Sequence, residues 1–141
     1  MNRVIATAAT IALVAVPTAF AASTTYEGTV TGDDETSVSL KVKSEGGERI
    51  VRAFVARDFA IKCEKSTAAR LSSAKITGEV LVNDSNRFRI EGQDGKVEFT
   101  VAGKLKGKRS AKGTFSYEGP TEVDGNRLDC DSGNLDWKAS R

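Results

Sequence analysis

From Tyr26 to the C-terminus, apolar residues recur at every second position, and Gly-, Asp- or Asn-containing dipeptides interrupt them about every ten residues. A period of two sends alternate side chains to opposite faces of an extended chain, so this pattern specifies half-buried antiparallel strands joined by tight turns. Val38, Leu40 and Val42 share one face against Ser39, Lys41 and Lys43, and the turn Glu45-Gly46-Gly47-Glu48 follows. Arg49 to Val55 is apolar on both faces, the mark of a central strand or of one that changes face at a bulge. Arg57-Asp58 reads as a bend leading to Phe59, Ile61 and Cys63. Glu64 to Ala74 lacks an apolar stripe and reads as a loop. Beyond it, Ile76, Val80 and Val82, then Phe88 and Ile90, then Val97, Phe99, Val101 and Leu105, then Phe115 and Tyr117, and finally Leu135 and Trp137 supply the later strands. The expectation is an all-β antiparallel meander of eight or nine strands, either a small β-barrel or a strongly twisted sandwich.

A Gly-x-apolar unit recurs at Gly28, Gly78, Gly103, Gly113 and Gly133, each time with the glycine on the apolar face. Glycine inside a strand marks a bend, a bulge or a close approach, and on the inner face it lets a sheet coil. The missing side chains either leave room for an internal ligand or are filled by neighbouring Phe and Trp rings, and the second is favoured in so small a fold. An immunoglobulin-type sandwich is disfavoured, because Trp137 follows both cysteines and position 128 is Leu rather than Tyr.

The stretch before the alternation has one cation, Arg3, an uncharged Ala/Val/Ile/Leu run from Val4 to Val16, and small residues at Ala19 and Ala21. That is the layout of a secretory leader cleaved after Ala21. The apolar run, about 13 residues, falls short of the roughly 20 a membrane span needs. The expected organisation is a leader at 1–21 and one secreted, extracytoplasmic β domain at 22–141, with no membrane span after cleavage. Arg3 is the only charge removed, so 20 basic and 19 acidic residues remain. This near balance gives no global pull toward nucleic acid or an anionic membrane.

Two cysteines, Cys63 and Cys130, lie 67 residues apart. An even pair in an exported chain is most simply a disulfide, and closing a loop of that length contributes roughly 4 kcal/mol in chain-entropy terms. The chain has no His. That removes His-dependent triads, the commonest neutral-pH base and imidazole metal ligands, and an oxidised cysteine pair removes a thiol nucleophile. The residues therefore point away from an enzyme and call for no cofactor and no metal.

Paired carboxylates are the acid/base apparatus left. Asp129 and Asp131 are two apart, so on a strand they share a face, the arrangement a carboxylate hydrolase needs. The parity here is ambiguous: Leu128 and Cys130 have one parity, Gly133, Leu135 and Trp137 the other. Either a bulge lies near Asp131-Ser132 or the disulfide sits outside the main core. Acids beside a turn are usually solvated. Glu122, Asp124 and Asn126 imitate the start of a calcium loop, but Arg127 and Gly133 stand where an EF-hand needs Gly and Glu, so a polar turn is favoured. Asn83-Asp84-Ser85 is a glycosylation sequon in a turn.

One hairpin concentrates a single sign of charge: Lys104, Lys106, Lys108, Arg109 and Lys112. Lys104 and Lys106 share the outward face of a strand, and Lys108 and Arg109 form the turn. An anionic glycan or a cell-wall polymer fits such a patch. Nucleic acid does not, because Phe99, Phe115 and Tyr117 alternate to the other face and leave no platform for bases. The competing explanation is that lysines on an exposed hairpin keep an edge strand from aggregating.

The C-terminal half carries Lys112-Gly113-Thr114-Phe115-Ser116-Tyr117, then Cys130-Asp131-Ser132-Gly133, Trp137-Lys138-Ala139 and a terminal Arg141. In these features, and in its Lys-laden Gly-rich hairpins, the chain resembles a group of small exported bacterial β proteins of actinobacterial type ending in Cys-Asp-Ser/Thr-Gly...Trp. The resemblance implies export, a disulfide and a β fold, and it implies no catalytic residue. The functional expectation is an exported non-enzymatic β domain that binds a ligand or an envelope component. A structural or interaction domain without a small ligand is the alternative, and a carboxylate-dependent hydrolase is the last choice.

Overall fold

A computed structural model describes residues 22–141; the leader and its cleavage after Ala21 fall outside the described residues. The elements are β1 (Ala22–Val30), β2 (Asp33–Glu45), β3 (Glu48–Cys63), β4 (Thr67–Leu81), β5 (Arg87–Asp94), β6 (Val97–Lys106), β7 (Ser110–Val123), β8 (Asn126–Asp131) and β9 (Leu135–Ser140). They form one antiparallel sheet in the order β4-β3-β2-β1-β9-β7-β6-β5, with β8 pairing both β3 and β7. The all-β class and the nine-strand meander are as the alternation specifies. Through β8 the path β3-β2-β1-β9-β7-β8 returns to its start, and β4 and β5 stand at the two ends of the main path.

The stretch expected as a loop, Glu64 to Ala74, is instead mostly strand. After a turn whose Lys65 and Ser66 are both left-handed (φ 61° and 58°), β4 starts at Thr67 and pairs with β3 from Cys63↔Thr67 onward. The turn lacks the Asn-Gly or Asp-Gly pair that normally announces such φ values. β4 is also an end strand whose small residues, Ala69 and Ala74, only half-bury, so neither signal is visible in the sequence.

β3 realises both readings of its two-faced pattern. It lies between β2 and β4, and its register shifts between Val51 and Ala53, which puts both Val51 and Phe54 inside. A second reversal comes at Asp58, whose left-handed backbone (φ 57°) lets Ala56 and Phe59 both point inward. The expected bend is therefore a kink inside a continuous strand. The parity conflict after Cys130 is the expected bulge near Asp131-Ser132. β8 and β9 both run along β7, and between Glu118↔Asp131 and Phe115↔Leu135 three residues, Ser132 to Asn134, oppose two, with Gly133 (φ 66°) in the slip. The disulfide is not outside the core: Cys63 and Cys130 are bonded, directly opposite one another on β3 and β8, and buried.

Aromatic rings fill the centre. Phe54 lies 5.3 Å from Trp137 and 5.7 Å from Phe115 between ring centroids, and Phe59 packs edge-on against Phe115 at 5.3 Å. Tilted and edge-on pairs of this kind add to the burial of the rings themselves. A side chain at Gly103 would run into the Phe88 and Trp137 rings, and one at Gly28 or Gly113 would strike the backbone of the neighbouring strand. At these three positions glycine serves close approach, and the space is occupied by the protein. Gly78 faces open space, so the recurring unit has no single structural meaning.

Candidate functional site

The cations singled out in the sequence divide into two groups. Lys104 on β6 lies directly opposite Lys112 on β7, and both point outward because Leu105 and Ala111 beside them are buried. Lys106 is one outward step further along β6, opposite Ser110. Lys108 and Arg109 occupy the β6–β7 turn, at the end of the patch rather than within it. The backbone of that turn is tied down: Arg49 donates to the Gly107 carbonyl (3.1 Å), Arg141 donates to the Lys108 carbonyl (3.2 Å), and the Arg141 amide donates to the Arg109 carbonyl (3.0 Å).

Register adds two residues that sequence reasoning did not find. Lys112 is also opposite Lys138 of β9, and Lys104 is opposite Arg87 of β5. Arg87, Lys104, Lys112 and Lys138 thus form one row across four neighbouring strands. At about 4.8 Å per strand spacing, the row spans roughly 14 Å. Parity alone marks Arg87 and Lys138 as outward, since each adjoins an inward aromatic, Phe88 and Trp137. That they align depends on β7 pairing with β9, which no local pattern shows. The row borders an open groove of about 880 Å³, where Gly103 and Gly113 contribute backbone in place of side chains.

No member of this row is in an ion pair among the described residues. Like charges placed directly opposite on a sheet are destabilising, and three such contacts follow one another here. Protection of an edge does not account for them. β6 lies between β5 and β7, β7 between β6 and β9, and β9 between β7 and β1, so of the four only Arg87 is on an end strand.

A second charged cluster is built in the opposite manner. Arg70 of β4 reaches Asp58 Oδ1 and Asp33 Oδ2 at 3.1 Å each and Glu35 at 3.8 Å, and also donates to the Asp58 carbonyl. The fully buried Thr36 hydroxyl lies 2.8 Å from Asp33 Oδ2 and 3.0 Å from the Asp58 carbonyl, and accepts from Arg70 at 3.2 Å. The Thr36 hydroxyl holds the Asp33 carboxyl below the usual carboxylate range; hydrogen bonds from Arg70 and the Glu35 amide reinforce this against partial desolvation. Every polar group here has a partner inside the protein, so the cluster locks the Asp58 kink.

Asp129 and Asp131 lie on the exposed face of β8, as their spacing specifies, in open surroundings. The Asp129 amide donates to Glu64 at 2.8 Å, and Asp131 accepts from the Gly133 amide within the β8–β9 break. Glu122 and Asn126 flank the β7–β8 hairpin turn, whose Asp124 and Gly125 are left-handed (φ 50° and 82°). Asn83 of the sequon accepts from the Ser85 and Arg87 amides, closing the turn before β5. Among the described residues no three metal-ligating side chains come together, and no helix is long and apolar enough to cross a membrane. No family model, no curated protein and no solved structure matches the chain.

Proposed function

We propose that the chain is an exported, non-enzymatic β domain that holds an anionic polymer of the cell envelope, an anionic glycan or a wall polymer, on the face formed by β5, β6, β7 and β9. The observation that carries this reading is the row Arg87, Lys104, Lys112 and Lys138: in register, outward and without an internal counter-charge. Four cations held in line at an energetic cost to the fold are most simply explained by an external anion that offsets their repulsion. Export is supported by the leader-like residues 1–21 and by the disulfide, which persists in oxidising compartments. The non-enzymatic reading rests on the absence of His and on the cysteines being bonded to each other.

Nucleic acid is a poorer fit. Every aromatic side chain among the described residues is buried; Phe88 and Trp137 line the groove beside the cations but present no free ring face for a base to stack on. Retention of the purified 22–141 domain on an anionic polysaccharide matrix tests the proposal. Elution should move steeply with salt, because exposed contacts are screened within about 10 Å at 0.1 M ionic strength. Flow-through at low salt overturns it.

A further inference from the structure

The row continues beyond the four cations. Lys138 is opposite Thr29 of β1, Thr29 is opposite Ser37 of β2, Ser37 is opposite Arg57 of β3, and Arg57 is opposite Ser73 of β4. The eight residues in register across the sheet are therefore Arg87, Lys104, Lys112, Lys138, Thr29, Ser37, Arg57 and Ser73. Five are cationic, three carry hydroxyls and none is acidic. Arg57 is exposed and, like the first four, in no ion pair among the described residues. The outward rows on either side differ. One contains Glu27, opposite Ser140, and the other contains Asp136, opposite Thr114. The same two rows carry Lys106 on β6 and Arg89 on β5, so positive charge is broad over β5 and β6 and narrows to a line one residue wide, bordered by carboxylates, where it crosses β1 and β9.

From this we infer that the bound anion is a linear chain laid across the strands, running past the groove and over β1 and β2 to Arg57, and not a compact multivalent head. This inference rests on the reading of the basic row as an anion site. A compact polyanion places its charges in a disc and, wherever it covers β9 and β1, meets Glu27 or Asp136 on the flanks. An extended chain keeps its charges on the line, takes hydrogen bonds from Thr29 and Ser37 where no cation is present, and regains an ionic contact at Arg57. Three strand spacings separate Lys138 from Arg57, about 14 Å along the sheet, so only an anion much longer than the four-cation segment reaches both.

The test compares linear polyphosphate fractions of two lengths and myo-inositol hexakisphosphate, measured calorimetrically at low salt on the wild-type domain and on Arg57→Gln. The short fraction is confined to the span of Arg87 to Lys138; the long one exceeds twice that span. The long chain should bind at least several-fold more tightly than the short one, and both more tightly than the compact probe at matched charge. Arg57→Gln should weaken the long chain about three-fold, as for loss of one exposed ionic contact, and leave the short chain unchanged. Arg57→Lys should restore the difference. Equal effects of Arg57→Gln on both chains, no effect on either, or compact binding as tight as the long chain overturns the track while leaving the basic row in place. Failure of every probe to bind the wild type overturns the row as an anion site, and the track with it.

Discussion

Arg70 and Lys112 carry the same charge on outward faces of the same sheet, yet their surroundings differ in every respect. Arg70 is held by Asp33, Asp58, Glu35 and the buried Thr36 hydroxyl, whereas Lys112 stands between Lys104 and Lys138 with no acid in ion-pair range. In the first region the charge is consumed by the fold and secures a kinked strand. In the second the fold carries the charge at a cost. A cation whose partners are internal is structural, and one surrounded by its own kind is available to something outside.

The comparison makes opposite claims about substitution in the two regions. Replacing Lys104, Lys112 and Lys138 together by Gln should produce the largest effect, lowering affinity for an anionic polysaccharide on the order of tenfold or more at low salt and flattening its salt dependence. Urea denaturation of that variant should show stability equal to or above wild type; a clear loss of stability would place these lysines with Arg70. Arg70→Ala should do the reverse, lowering the urea midpoint measurably because the Asp58 carbonyl and the Thr36 hydroxyl lose a donor, while polymer retention stays as it was. Arg70→Lys should recover only part of this, since an ammonium is a point charge without the planar fork by which the guanidinium reaches both carboxylates and the carbonyl.

Acid provides a smaller and sharper probe. Asp33 titrates in the folded state below its unfolded value. Its contribution is therefore complete above the unfolded carboxylate pKa and is lost as pH falls through the folded pKa. Wild-type stability should drop in that acid window, and Arg70→Ala should drop less steeply there; identical acid limbs would show that the network does not couple to Asp33. The smallest effect is expected from Lys112→Gln alone, a gain of a few tenths of a kcal/mol from removing two opposed like charges. A loss in that variant would mean that the Lys112 stem contributes packing that outweighs the repulsion.

Strand content, the disulfide pair and the inward rings were legible because each depends on local parity or on simple pairing of two cysteines. Val38, Leu40 and Val42 are buried where alternation places them, and Phe99, Phe115 and Tyr117 point away from the lysines as parity requires. What was not legible depends on register between distant segments. Lys104 and Lys112 belong to one hairpin and could be associated from sequence, but Arg87 and Lys138 join them only through β5 and β9. The β4 loop reading failed for a local reason: Lys65 and Ser66 adopt left-handed backbone without the residue types that signal it. At Asp131 to Leu135 the parity conflict was visible and a bulge was among its two readings, but only the pairing of β8 and β9 along β7 decides for it.

The pairing of β1 with β9 joins Glu27 to Ser140, residues far apart in the chain. Any chain that emerges N-terminus first, from a ribosome or through a membrane pore, must wait for β9 before β1 gains its second neighbour. Contacts so distant in sequence make for a high contact order and slow, all-or-none acquisition of the fold. The row that reaches from β5 to β3 across that same β1–β9 junction is consequently assembled last, and a chain truncated within its final strand would possess most of its cations but no continuous line on which to display them.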